Sequence, residues 1–338
     1  MEKREIWVFL ISKKLNVIII GCGLIGNKRA KFLNNKFSKL VYCCDIKEKK
    51  AIQFAKKYKC TYVKNYKKVD LSKIDVAFIC TTHNFLFSIS KFFLKKNKHV
   101  FVEKPGSLNL KQILDIKKVL NNNNNIKYAV GFNHRFHPAF QKVFEIIKKN
   151  LLGNIMFIRG QYGHGGRKGY DKEWRAKFKL SGGGELIDQG THLIDLSRCL
   201  LGEFKKIQAD LKTYFWKMKV EDNCFLTLTN KHGNIAFLQA SCTEWKNTFN
   251  FEIYGKKGKL QIEGLGGSYG TEKLKFFSMS KKMGPPKTYI YKYLKKDRSW
   301  LFEQNEFFRS IFNNTKIKNA GINDAVECHK IISKIYEK

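Results

Sequence analysis

A chain of 338 residues with 65 Lys and Arg against 28 Asp and Glu carries a formal net charge of +37, which invites a nucleic-acid or membrane-surface reading. Only nine of those basic residues are Arg, and the lysines run along the whole chain with frequent Asn, so the charge reads as compositional bias and no nucleic-acid partner is expected. A hydrophobic content of 43%, with 28 Phe and 14 Tyr, supplies core for about two domains.

The apolar run Ile6 to Ile11 follows a charged start, is short for a signal-peptide core and reads as an N-terminal extension. No segment has the length of a transmembrane helix, so no membrane partner is expected. Residues 15–20 (LNVIII) form a continuous apolar run that stops at glycine, as a strand buried on both faces does. A helix from Asn27 to Leu33 follows, then a strand at 39–45 and a helix at 47–58. Further strands are expected at 74–81, 99–105 and 126–132, with helices at 87–97 and 110–120 between them. This alternation predicts a doubly wound parallel sheet of Rossmann type.

The pattern then changes. A helix at 137–150 and a strand at 154–162 lead into the glycine- and aromatic-rich loop GHGGRKGYDKEW. A helix through Leu186–Leu201 is followed by β-rich runs at 205–216, 222–229, 233–243, 249–255 and 258–264. Turns at 231–234 and 255–258 separate them as in hairpins. Helices at 299–312 and 323–338 close the chain. The reading is a dinucleotide-binding domain at 1–133 and an α+β domain at 134–338 on a large, mostly antiparallel open sheet.

Nine cysteines lie without a CxxC pair, and the eight His show no ligand spacing with them, so reduced, mostly buried thiols of a cytoplasmic protein are expected and no metal. The segment GCGLIG sets Gly21, Gly23 and Gly26 in G-x-G-x-x-G register between a strand and a helix. Its backbone, with Leu24 and Ile25 opening the helix, would cradle a pyrophosphate. Asp45 ends the next strand, where a carboxylate accepts from the adenosine ribose hydroxyls. It would repel a 2′-phosphate, which favours NAD; Lys47, Lys49 and Lys50 leave NADP possible. Ligands bind such sheets at the strands' carboxyl ends, so Thr81, Thr82, His83, Asn84, Glu103 and Lys104 should border the nicotinamide half. Asp188 and His192, four residues apart, put an acid and a base on one helix face after three glycines. Imidazole is the natural acceptor for a hydroxyl proton near neutral pH.

GCGLIG, the EKP of 103–105, GFNHRFHPA at 131–139 and GGGELIDQGTHLID at 182–195 together resemble the Gfo/Idh/MocA oxidoreductase family over the whole chain. The resemblance implies a Lys–Asp–His catalytic set of Lys104, Asp188 and His192, and a cis Lys104–Pro105 bond. It also implies dimers or tetramers built through the second sheet. The implied reaction moves a hydride between a secondary hydroxyl of a sugar, polyol or nucleotide sugar and the nicotinamide. Asn133 and Arg135 would line the domain junction, and His164, Arg167, Tyr170, Trp174 and Arg175 the loop over the substrate. That basic, aromatic loop suits sugars bearing phosphate, carboxylate or nucleotide, as in polysaccharide assembly. An NAD-dependent glycosidase and a non-catalytic dinucleotide sensor of the same fold stay open as alternatives. Many relatives carry Ala-Thr-Pro where this chain has Cys80-Thr81-Thr82-His83-Asn84.

Overall fold

The first apolar run is buried on both faces because it lies in mid-sheet. In the computed structural model, which describes residues 14–123 and 125–337, strand β1 (Leu15–Ile20) is flanked by β2 (Ser38–Cys44) and β3 (Thr61–Tyr62) on one side. On the other lie β4 (Val76–Ile79), β5 (His99–Val102) and β6 (Tyr128–Val130), in the order β3-β2-β1-β4-β5-β6, all parallel. Helices α1 (Leu24–Ala30), α2 (Glu48–Tyr58), α3 (His83–Lys95) and α4 (Leu110–Asn121) supply the crossovers. The run at 6–11 lies outside the described residues. Two helices begin one turn earlier than their apolar periodicity implies. Gly23 and Thr82 take extended N-cap conformations, so Leu24, His83 and Asn84 fall in first helical turns, at the strands' carboxyl ends.

The chain then passes through α5 (Pro138–Lys148), β7 (Ile155–Gly163) and a short α6 (Phe178–Ser181) to α7 (Thr191–Leu201). Seven strands follow: β8 (Phe204–Lys212), β9 (Asn223–Asn230), β10 (Ile235–Ser241), β11 (Thr248–Gly255), β12 (Gly258–Glu263), β13 (Glu272–Ser278) and β14 (Lys287–Tyr293). With β7 they make an eight-stranded sheet ordered β14-β13-β12-β11-β7-β10-β9-β8. The turns at 231–234 and 255–258 close the β9–β10 and β11–β12 hairpins, and only β7–β10 among the described pairs of this sheet is parallel. The edge strand β14 was not expected: most of its residues are exposed, so it lacks the one-sided apolar alternation that marks a strand.

Alternation along β9, β10 and β12 turns Leu226, Leu228, Leu238, Leu260 and Ile262 toward α5, α7 and α9 (Ile322–Tyr336) in one continuous core. The outer face carries exposed Met156, Phe157, Ile235 and Phe237. It is laced by cross-strand pairs: Arg159 donates to Glu252 at 2.8 Å, and Phe157 stacks on Tyr254 at 4.2 Å. Among the described residues no helix is long and apolar enough to cross a membrane, and no three His, Cys, Asp or Glu gather as a metal site. All nine cysteines are unpaired.

The C-terminal helices return to the first sheet. Phe307 and Phe308 of α8 (Ser299–Phe312) pack on Phe78 and Phe101, and the backbone of β6 meets the chain again at Gly321. Beneath them Arg29 is fully buried. Its Nε donates to Glu103 at 2.7 Å, its Nη1 to Glu303 at 2.5 Å, and its guanidinium lies between Phe101 and Trp300, 4.4 Å from each ring. Gly131 lacks a Cβ where one would stand 2.7 Å from this guanidinium. Burial pushes the Glu303 carboxyl up to about 8, against the pull of Arg29. Removing one member of such a network strands the rest. Arg29→Met should therefore cost about 3–5 kcal/mol in urea unfolding at neutral pH.

Candidate active site

The glycine loop fits a dinucleotide for reasons visible at each glycine. A Cβ on Gly21 would lie 2.4 Å from the Cys80 carbonyl oxygen, and one on Gly26 2.0 Å from the carbonyl oxygen of Gly21, so both hold the turn tight. A Cβ on Gly23 would meet nothing within 4 Å: the middle glycine faces open space at the N-terminus of α1. No acidic residue lies in that helix's first turn to oppose an anion. Leu24 is exposed and Ile25 half-buried at the same edge. Asp45 is aimed at the loop by accepting from the Cys22 amide at 2.7 Å and the Lys47 amide at 2.8 Å. An open glycine over unopposed amides, with a carboxylate beside it, suits a pyrophosphate and an adjoining ribose.

The triple glycine has a packing cause. Glu221, in the β8–β9 connection, caps the helical segment from outside. Its carboxylate accepts from the amides of Gly184 at 3.1 Å and Leu186 at 3.0 Å and from the Tyr336 hydroxyl at 2.7 Å. A Cβ on Gly184 would lie 2.0 Å from the Glu221 carbonyl oxygen. The segment Leu186–Gly190 is then a π turn that runs into α7. The i, i+4 reading assumed an α-helix throughout; Asp188 lies in the wider turn and His192 in α7, and among the described hydrogen bonds none joins their side chains.

Asp188 instead meets Lys104, whose Nζ donates both to its carboxylate and to its carbonyl, the latter at 2.6 Å. Arg175 donates its Nε to the other carboxylate oxygen at 2.8 Å. Burial works to raise the Asp188 pKa, but the charges of Lys104 and Arg175 outweigh it and hold the carboxyl well below its usual range. Lys104 lies just past the end of β5, and its bond to Pro105 is cis.

His192 is buried and stacked on His134, with ring centroids 3.8 Å apart and planes 16° from parallel. Burial, then the Lys104 charge, pushes its pKa well below normal, so the ring is neutral. His134 is held neutral in the same way, by burial and then by His192. The Nδ1 of His192 is sealed from solvent without a partner, which leaves Nε2 as the nitrogen available to a bound hydroxyl.

The other predicted residues divide. Trp174 stands edge-on to His83 at 4.8 Å, with Arg175 over its ring at 4.6 Å. His83 turns inward, its Nδ1 2.7 Å from the Ser181 carbonyl, and burial lowers its pKa to about 3. Thr81 is half-buried, and Thr82 donates to Asn84 at 2.7 Å on the same rim. Arg167 is exposed and pairs with Glu173 at 2.6 Å; His164 accepts from the Gly166 amide at 2.9 Å. Several side chains are committed to internal partners. Glu103 takes Arg29; Arg135 holds Asp195 through two bonds of 2.7 and 2.5 Å; Asn133 donates to Ser299 at 3.0 Å. Tyr170 is 1% exposed and donates to Glu185 at 2.8 Å.

Sequence reasoning passed over three residues: His134, Glu185 and Glu221. The first lies inside the quoted 131–139 motif and the second opens the acid–base segment. Nothing in the local sequence marks Glu221.

The comparisons with known proteins match these two lobes. A family model described as an oxidoreductase family with an NAD-binding Rossmann fold matches residues 15–132, and the GFO/IDH/MocA C-terminal domain matches residues 140–261. The chain belongs to the Gfo/Idh/MocA oxidoreductase family. Levoglucosan dehydrogenase of Pseudarthrobacter phenanthrenivorans is 30% identical over 57% of this chain and 56% of its own length, so the matched stretch spans little more than half of that relative. D-glucoside 3-dehydrogenase of Escherichia coli is 26% identical over 69% of this chain and 71% of its own. The solved structure of levoglucosan dehydrogenase in complex with NADH and levoglucosan shares the fold: TM-score 0.86, 96% of each chain covered, 21% identity. As a member of this family the chain has its NAD-binding Rossmann domain at residues 15–132.

Two neighbouring acids are thus pushed apart. Asp188 bonds two cations; buried Glu185 bonds the Tyr170 hydroxyl and the Cys242 thiol, and burial plus the Asp188 charge raise its pKa from the ordinary 4.5 to about 8, against the weaker pull of Lys104. The folded state therefore binds a proton more tightly than the unfolded chain. Its stabilising share is full below the unfolded value and is lost as pH rises through the folded one. Glu185→Gln keeps an acceptor for Tyr170 and does not titrate. Melting curves over a pH series should show the variant gaining on wild type between those two values, with a constant lead above them.

Proposed function

We propose that this protein is an NAD-dependent oxidoreductase that moves a hydride between the nicotinamide and a secondary hydroxyl or ketone of a sugar, polyol or nucleotide sugar. The reading rests on one observation above the rest. Lys104, from the carboxyl end of β5 in the NAD-binding domain, is fastened to Asp188 of the second lobe, in the same buried site as a neutral His192.

The bound dinucleotide supplies the hydride acceptor or donor. Everything else falls to the protein's side chains. Neutral His192 takes the hydroxyl proton at Nε2 as the alcohol is oxidised and returns it in the reverse direction. The Lys104 ammonium donates to the substrate oxygen and stabilises the charge that builds there. Asp188, kept ionised, fixes that ammonium in place, and Arg175 fixes Asp188. The stacked His134 fills the space behind His192 without adding a charge. His192→Ala should keep NAD binding, followed by calorimetric titration. Turnover across a panel of polyols, free sugars and nucleotide sugars, read as NADH absorbance, should fall by about 10²–10⁴-fold.

NAD is favoured over NADP by the carboxylate of Asp45 beside the loop. Asp45→Ala should weaken NAD binding and narrow the preference between the two cofactors, measured by titrating both into the same protein. The exposed Lys47, Lys49 and Lys50 remain to meet a 2′-phosphate in that variant. The apolar residues on the outer face of the second sheet support association of copies through that face. Nine unpaired cysteines support a reducing, cytoplasmic setting. The basic loop at 164–176 supports a charged sugar derivative of the kind used in polysaccharide assembly.

A further inference from the structure

Beside the active-site cleft the protein holds three aromatic side chains out to solvent. Tyr214 is 68% exposed, Phe215 56% and Trp245 66%. Exposed rings of this size forfeit burial energy, and these are not on floppy backbone. The amides of Tyr214, Phe215 and Trp216 all donate to the fully buried carboxylate of Asp222, at 2.9, 2.8 and 3.0 Å. Trp216 then tethers the platform to the next loop, its Nε1 donating to the Cys242 carbonyl at 2.9 Å. Phe215 meets Trp245 edge-to-face, centroids 4.7 Å apart at 86°. Trp245 itself has φ +55°, a left-handed conformation that a bulky side chain adopts at a cost and that concentrates at functional sites.

This platform is joined to the cleft. Trp216 packs against Tyr170 at 5.6 Å, and Met218 and Val220 of the same connection line the cleft with His83, Arg175 and Asp188. Gly165 and Gly166 let the 164–176 loop lie directly on Trp245 and Trp216; Cβ atoms there would fall 2.9 and 2.4 Å from them. Three of the chain's five tryptophans, Trp174, Trp216 and Trp245, therefore stand on this one rim. Exposed Lys217 and Lys246 adjoin two of them, and exposed Lys168 extends from the loop beneath.

We propose that this rim is a subsite for the nucleoside diphosphate arm of a nucleotide-linked sugar, with the base on Phe215 and Trp245 and the diphosphate toward Lys168, Lys217 and Lys246. The proposal rests on the sugar oxidoreductase reading and narrows its substrate class. A rigid aromatic face binds a planar base at little ordering cost. Lysine is abundant everywhere in this chain, so the cations alone argue little. Their conjunction with a fixed, strained aromatic pair selects a ligand that is flat at one end and anionic next to it. An uncharged second sugar would use the rings and leave the cations idle; a second copy of this chain would bring more positive charge to them.

The test titrates UDP, GDP and inorganic pyrophosphate into the full-length protein saturated with NAD, which keeps them from the glycine loop, with binding read by calorimetry. At least one nucleoside diphosphate should bind saturably and more tightly than pyrophosphate. Trp245→Ala and Phe215→Ala should each weaken it by about tenfold or more while NAD affinity is unchanged. Four results overturn the proposal. They are no saturable binding, pyrophosphate binding as tightly as the nucleotides, equal affinities in the variants, or a drop in mass by light scattering in Trp245→Ala, which would make the patch a contact between copies. No turnover is involved, so this failure is separate from a failure of the redox reading, which the His192→Ala assay detects.

Discussion

The pairing of Lys104 with Asp188 is the constraint from which the site follows. It takes a cation from the end of a parallel strand and an anion from a helical segment of the other lobe, and both are largely withdrawn from water. A buried pair of this kind tolerates little misplacement, because an unmatched partner would carry its desolvation cost alone. The positions of β5 and of the π turn are therefore set together. Arg175 enters as a second cation on the same carboxylate, which ties the 164–176 loop to that junction.

The electrostatics around this pair sort the site's groups by charge. Asp188 stays ionised, Glu185 next to it is neutral, and His192 and His134 are both uncharged. One arginine and one lysine thus face one carboxylate, with a polar but uncharged ring of groups around them. Such a division leaves Lys104 as the charged group beside the proposed proton acceptor, where its charge adds to burial in lowering the basicity of that imidazole.

Much of this was legible beforehand. The glycine register, the strand at 15–20, the helix at 299–312 and both hairpin turns follow from local pattern, because each is decided by residues within one or two turns of one another. What escaped was decided at long range. Glu221 caps a segment 35 and 37 residues away, and Glu303 meets Arg29 across 274 residues. The π turn Leu186–Gly190 begins at the residue whose amide that distant carboxylate accepts. The resemblance put Tyr170 in the loop over the substrate and Arg135 at the domain junction; in the structure Tyr170 donates to Glu185 and Arg135 pairs with Asp195, partners that no local pattern marks.

The return of α8 to the first sheet has a consequence for the order in which the molecule can be built. Phe307 and Phe308 complete the hydrophobic layer that begins at Val17 and Ile19, and Glu303 closes the shell around Arg29. A ribosome delivers those residues after every strand of both sheets. The nucleotide-binding lobe therefore emerges with one apolar flank bare and waits for α8 to arrive from far along the chain, a closure of high contact order. Vectorial synthesis thus completes this lobe only after the strands of the second sheet have been made.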